Sequence, residues 1–216
     1  MTDSGTLRVI RLESPVGRLR ATADDHALHT LTFDEADTRA AHAARANAES
    51  DGAVEGTNAI LDRLVVQLDE YFAGTRRDFD LPLAPAGTPF QLASWQVLRS
   101  IPYGRTMSYG EQARTLGDVG KARAVGAANG RNPISIVVPC HRVVAGSGHL
   151  TGFGGGIENK AWLLAHERSV LEGVDPLHAQ IAADYLALFE ACHRRRHALD
   201  LICIAKTSRT DLHSRL

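Results

Sequence analysis

Read by its apolar and polar positions, the chain opens with strands over residues 7–12 and 19–22, joined at Ser14-Pro15-Val16-Gly17. Proline at the second turn position and glycine at the fourth suit a type I turn. A third strand is expected over residues 27–33. From 35 to 56 the chain is rich in Ala, Asp, Glu, Asn and Gly and reads as a weakly specified helix or a variable loop. Asn58 is placed to cap a helix whose stripe is Leu61, Leu64, Val65, Leu68, Tyr71 and Phe72, stopped by Gly74. This is a small α+β unit with no evident chemistry of its own. His26 and His29 lie in it without any cysteine, so they read as exposed strand histidines rather than metal ligands.

Residues 81–87, rich in Pro and Ala, read as a linker. Thr88-Pro89 then supplies an N-cap and a first-turn proline for a helix carrying Phe90, Leu92, Trp95, Val97 and Leu98, which a turn over residues 101–104 ends. Ser108 and Glu111 form a capping box opening a short helix through Leu116. After a break at Gly117–Gly120, a second helix is expected from about Lys121 to Asn129. Two short helices about a glycine-containing turn make a helix-turn-helix candidate, although many such pairs bind nothing. The second helix is made almost wholly of small residues around Arg123, and its Gly126 costs about 1 kcal/mol relative to alanine. Such a face admits close approach, by a neighbouring helix or by a nucleic-acid groove. Arg123 favours the groove, since it can reach phosphate or enter a base stack.

Val137-Val138-Pro139-Cys140-His141-Arg142-Val143-Val144 sets a thiol beside an imidazole between β-branched runs that favour extended, buried backbone. Cysteine nucleophiles are found at such places. A tight turn at 146–148 and a glycine-rich loop at 150–156 follow, the latter able to fold over a pocket and offer its amides. Asn159 is the expected cap of a helix running to His166 and Glu167. The tail, residues 168–216, reads as two helical patterns. Between them His193 to His197, with Cys192 and Cys203 nearby, match no familiar zinc spacing and read as a solvated basic face.

Composition changes this picture in two respects. With 44% hydrophobic and 23% charged residues, no membrane-length apolar run, a polar N-terminus and three cysteines, the chain reads as a globular protein of a reducing cytoplasm. Its net charge of −1 argues against nucleic acid, but the distribution does not. Residues 1–89 carry 9 basic against 15 acidic side chains, whereas residues 90–167, around Cys140, carry 8 against 4. The segment bearing the thiol is the one suited to phosphate.

The run Asn132-Pro133 through Pro139-Cys140-His141-Arg142-Val143 resembles the O6-alkylguanine-DNA alkyltransferases, also called methylated-DNA–protein-cysteine methyltransferases. Ser108-Tyr109, Ala122-Arg123-Ala124-Val125-Gly126, Gly152-Phe153-Gly154-Gly155-Gly156 and Leu163-Leu164-Ala165-His166-Glu167 fall in the family's order and spacing. The resemblance implies an α+β protein: an N-terminal ribonuclease-H-like unit over 1–80, then a mostly helical, DNA-binding catalytic unit with a helix-turn-helix over 88–173. A helical tail of unassigned role, 174–216, completes the chain.

The implied activity is irreversible transfer of an alkyl group from O6-alkylguanine, or O4-alkylthymine, in a flipped-out base of double-stranded DNA. Cys140 is the acceptor, used once. By the same resemblance His141 is its base through a bridging water and Glu167 orients the imidazole. Tyr109 protonates the leaving guanine and helps rotate its 3′ phosphate, and Asn132 braces the active-site turn. Arg123 takes the flipped base's place while Ala122, Gly126 and Ala127 enter the minor groove. Val143, Phe153, Gly154 and Gly155 wall the base pocket.

No cofactor, no metal and no membrane are implied, and a monomer is expected. Gly154 replaces a hydroxyl residue of some relatives, leaving only backbone amides to meet O6. Some relatives bind zinc in the N-terminal unit, but this chain has no cysteine there. A non-catalytic damage binder, a thiol hydrolase and a transcriptional regulator are the competing classes. Cys140 argues against the first, the small-residue helix against the second, and the lack of an evident further DNA-binding module against the third.

Overall fold

The computed structural model describes residues 6–34 and 52–173. The weakly specified stretch before residue 52, the stretch from residue 174 onwards in which two helical patterns were expected, Cys192, Cys203 and the 193–197 run lie outside the described residues.

Strands β1 (Arg8–Leu12), β2 (Leu19–Ala23), β3 (Leu28–Phe33) and β4 (Val54–Glu55) form one sheet in the order β3-β2-β1-β4. The first three are antiparallel neighbours, with Ala21 opposite both Ile10 and Leu31. The turn between β1 and β2 closes where the Ser-Pro-Val-Gly sequence places it: the Gly17 amide donates to the Ser14 carbonyl at 3.0 Å. Strand β4 has no counterpart in the sequence reading. It runs parallel to β1, and a two-residue strand offers no periodicity to read. His29 is half-buried and paired with Asp24 at 2.9 Å, while His26 lies in the preceding turn rather than on a strand.

Helix α1 (Ala59–Phe72) begins at Asn58, whose side chain accepts from the Leu61 amide at 3.0 Å. The same side chain donates to the Ala23 and Asp24 carbonyls, so one residue starts the helix and ties it to the sheet. Ile60, Leu61, Leu64, Leu68 and Tyr71 are buried in a common core with Leu19, Ala21, Leu28 and Leu31. At about 2 kcal/mol per buried leucine-sized side chain, this stripe, rather than helix propensity, stabilises a helix of 14 residues.

The helical unit follows. Helix α2 (Pro89–Arg99) opens with a capping box between Thr88 and Gln91, and α3 (Tyr109–Thr115) with one between Ser108 and Glu111. A 3₁₀ turn (Val119–Lys121) leads into α4 (Ala122–Asn129). Three buried polar residues lock these helices together. The Gln112 amide donates to the Ser94 carbonyl at 3.0 Å, and Asn129 donates back to Gln112 at 2.7 Å. Trp95 Nε1 adds a bond to the Ala128 carbonyl at 2.9 Å. Every one of these bonds joins two helices, so together they fix the angle at which α4 is presented. Short strands β5 (Met107–Ser108) and β6 (Val143–Val144) pair in parallel, and α5 (Ile157–Glu172) ends at left-handed Gly173.

Two local expectations are corrected. Helix α5 starts at Ile157, not at an Asn159 cap, because Gly156 at φ 92° turns the chain into it. Asn159 lies inside the first turn and donates to the Gly155 and Val16 carbonyls, both at 2.9 Å. The second concerns the β-branched run before Cys140, which is turned rather than extended. Ile136 takes φ 69°, a strained value for a β-branched residue. Its main-chain groups are otherwise engaged: Val138 N bonds the Ile134 carbonyl at 2.9 Å, and Cys140–Arg142 form a single 3₁₀ turn.

The two units meet along β3, whose outer edge receives the active-site segment. The Leu31 amide donates to the Pro133 carbonyl and the Ser135 amide to the Leu31 carbonyl, each at 2.8 Å. Among the described residues no helix is long and apolar enough to cross a membrane.

Candidate active site

Cys140 lies at the start of its 3₁₀ turn, 7% exposed. Burial pushes the thiol's pKa up, and two neighbours oppose it: the Asn132 side-chain amide and the Lys160 ammonium, both of which favour the thiolate. Asn132 Nδ2 is 3.2 Å from Sγ and 2.7 Å from the Val138 carbonyl, while its Oδ1 accepts from the Ile134 amide at 3.1 Å. One side chain therefore shapes the turn and meets the sulfur.

His141 is fully buried. Its Nε2 donates to Glu167 Oε1 at 2.8 Å, which leaves Nδ1 as the lone-pair nitrogen; no described protein group bonds it. Burial lowers the imidazole's pKa, against the pull of Glu167, so it is neutral at pH 7 and able to accept a proton. Burial alone would raise Glu167, but His141 and Arg142 hold its pKa at about 2. Arg142 grips both carboxylate oxygens through Nε, at 3.1 and 3.0 Å, and Oε1 again through its terminal nitrogen at 2.9 Å. The Gly104 amide at 2.8 Å and the Tyr71 hydroxyl at 2.9 Å complete the set of donors.

Tyr109 stands at the first position of α3, its hydroxyl on the Thr151 carbonyl at 3.2 Å. It lines a cavity of about 660 Å³ with Ala122, Arg123, Gly126, Phe153 and Gly154. Cys140 faces a smaller cleft with Asn132, Ser135, Thr32 and Phe33. Gly130 and Gly154 border both. Arg123 and Ala127 on α4 are exposed and Ala122 and Gly126 half-exposed, whereas Val125 and Ala128 are buried. The small-residue face is thus turned outward. Gly155 packs onto Phe33: a Cβ there would meet the ring at 2.4 Å. Val143 lines neither cavity; it is buried in β6, opposite Met107.

Three participants escaped the sequence reading. Lys160 is fully buried, Nζ donating to the Val143 carbonyl at 2.6 Å and the Thr151 carbonyl at 2.8 Å, with burial lowering its pKa to about 8. It ties the glycine-rich loop to β6 next to the thiol. A lysine among the helix's apolar positions was the available signal. Arg142 was visible next to His141 but had no assigned task. Tyr71 reads from sequence as one more core residue of α1.

Residues 89–169 match the family model of the 6-O-methylguanine DNA methyltransferase DNA binding domain, and residues 7–85 that of its ribonuclease-like domain. The methylated-DNA–protein-cysteine methyltransferase of Mycolicibacterium paratuberculosis is 46% identical over 162 residues, 73% of this chain and 90% of that protein. Its Shigella flexneri counterpart is 58% identical over 106 residues, a match spanning 49% of this chain and 62% of that protein. The crystal structure of Mycobacterium tuberculosis O6-methylguanine methyltransferase aligns with a TM-score of 0.67 and 42% identity, over 76% of this chain and 94% of that one. A crystal structure of Mycobacterium tuberculosis OGT in complex with DNA aligns with the same TM-score and identity.

Proposed function

This chain belongs to the 6-O-methylguanine DNA methyltransferase family, and from that premise we propose that it repairs DNA by moving the alkyl group of O6-alkylguanine irreversibly onto Cys140. O4-alkylthymine is the second substrate of the same pocket. The observation that carries the reading is the Cys140 turn. A thiol bonded by Asn132 stands one residue from an imidazole that holds a buried carboxylate at 2.8 Å.

The chemistry follows from these groups. His141 Nδ1 takes the thiol proton through a water, and Glu167 stabilises the resulting imidazolium. The thiolate attacks the alkyl carbon, forming the S–C bond as the C–O6 bond breaks. The electron pair of that bond passes to the guanine, which takes a proton from the Tyr109 hydroxyl. The target base leaves the duplex to enter the cavity behind α4, with Ala122, Gly126 and Ala127 against the minor groove and Arg123 in the vacated stack. Phe153, Gly154 and Gly155 flank the base. The product is a thioether that no described residue is equipped to cleave, so each molecule acts once. The partner is double-stranded DNA carrying the lesion, bound by a monomer.

The test is a mass measurement after incubation with a duplex containing O6-methylguanine. The expected result is one methyl group per molecule, on the peptide containing Cys140, and none on Cys140→Ala. Multiple turnover without an adduct, or no transfer by folded protein, rules the proposal out.

A further inference from the structure

Glu167 receives more donors than orienting His141 requires. Oε1 alone accepts from His141 Nε2, the Tyr71 hydroxyl and the Arg142 terminal nitrogen at 2.8, 2.9 and 2.9 Å. A carboxylate oxygen has two lone pairs, so these donors share its charge. Tyr71 is 96 residues away in sequence and reaches the site from the N-terminal unit. Resting on the reading above, we propose that Tyr71 is a positioning residue for alkyl transfer: by sharing Glu167 Oε1 it sets how strongly the carboxylate draws on His141.

The hydroxyl has no freedom to do anything else. Tyr71 and Glu167 are both 0% exposed. The ring is held among Phe72, Phe79, Tyr103 and His166 at centroid distances of 5.3 to 5.8 Å. Its own carbonyl accepts from His166 Nε2 at 2.8 Å, which fixes the backbone behind it. Nor does the bond exist merely because a phenol lies near the carboxylate. The neighbouring Tyr103 ring packs against Tyr71 at 5.8 Å, yet among the described residues its hydroxyl makes no bond to Glu167, so proximity to the carboxylate does not by itself produce this bond.

The charged and titratable groups around the pair are few. Arg142 lies on the same turn as His141, Tyr103 approaches from the loop after α2, Lys160 and His166 come from α5, and Tyr71 from α1. Arg142 and Lys160 oppose protonation of His141, and Glu167 favours it. Among the other donors to Glu167, Tyr71 and the Gly104 amide bring no charge, and of these two it is Tyr71 that shares Oε1 with His141, Gly104 bonding Oε2. Removing its hydroxyl leaves the carboxylate's charge more fully to His141, so the imidazole protonates at higher pH. The base is then lost earlier as pH falls.

The experiment measures the single-turnover rate of alkyl transfer to Cys140 from free O6-benzylguanine across pH, which avoids any effect on DNA binding. For Tyr71→Phe the acid limb is expected to move to higher pH by about half a unit or more, so that the rate at a pH on the limb falls roughly threefold or more while the plateau above the limb is little changed. Phe79→Leu, which loosens the same aromatic packing without touching Glu167, is expected to lower the melting temperature and leave the limb in place. Superimposable Tyr71→Phe and wild-type profiles, a limb moving to lower pH, or an equal shift in Phe79→Leu would each overturn the inference. His141→Gln separates the two levels. If that variant is inactive and Tyr71→Phe is unaltered, only this inference fails. If His141→Gln reacts at the wild-type rate, the base assignment falls and this inference with it.

Discussion

At the residue scale, Glu167 is the centre of charge. It is fully buried, and five donor groups converge on it from three stretches of chain. Removing one partner of such an arrangement leaves the other's charge uncompensated, which costs about 3–5 kcal/mol. Glu167→Gln is therefore expected to lower unfolding free energy by that amount in urea titration, in addition to slowing transfer. A loss under about 1 kcal/mol would mean that Arg142 finds another counter-charge. The same carboxylate makes stability pH-dependent. Its pKa is depressed from 4.5 to about 2 in the folded protein. The stabilisation is present in full above 4.5 and is lost as pH falls towards 2. Melting temperatures measured across that interval are expected to fall in wild type and to fall less in Glu167→Gln.

At the scale of elements, α4 couples two demands on one short helix. Its inner side, Val125, Ala128 and Asn129, is buried and tied to α2 and α3, while its outer side is kept low by Ala122, Gly126 and Ala127. A Cβ at Gly126 would lie 3.7 Å from the Tyr109 ring, an ordinary contact, so the fold itself does not demand glycine there. On the proposed function, a low surface serves the approach of DNA to the helix. Arg123, exposed and distant from the thiol turn in sequence, belongs to this surface. Arg123→Ala is expected to slow repair of a duplex about tenfold or more while leaving reaction with free O6-benzylguanine close to wild type. Equal losses on the two substrates would remove Arg123 from the groove-facing role.

At the scale of the whole molecule, the N-terminal unit is part of the reactive site. Its β3 edge carries residues 133–135, its Phe33 ring lies 5.5 Å from Phe153 in an edge-on contact, and Gly155 leaves no room for a side chain beside that ring. Gly155→Ala forces a methyl group into the Phe33 ring, an overpacking that costs about 1–3 kcal/mol. Phe33→Ala in the same molecule is expected to restore part of both melting temperature and transfer rate, giving a double-mutant coupling of at least about 0.5 kcal/mol. Simple additivity of the two changes would show that the ring does not set the loop's position.

What the sequence determined by itself is local. Asn58, Thr88 and Ser108 announced their helices because a cap is a contact within three residues. The first three strands, the order of the helices, the small-residue face of α4 and the Cys140-His141 pair were legible for the same reason. Tertiary structure decided the rest. The run before Cys140 turns instead of extending because Leu31 of β3 and the Asn132 side chain engage its backbone groups, and β4 exists only through its pairing with β1. Tyr71, Arg142 and Lys160 join the site through distances that no periodicity encodes. A buried carboxylate must gather its donors in space, and those donors come from wherever the packed chain brings them.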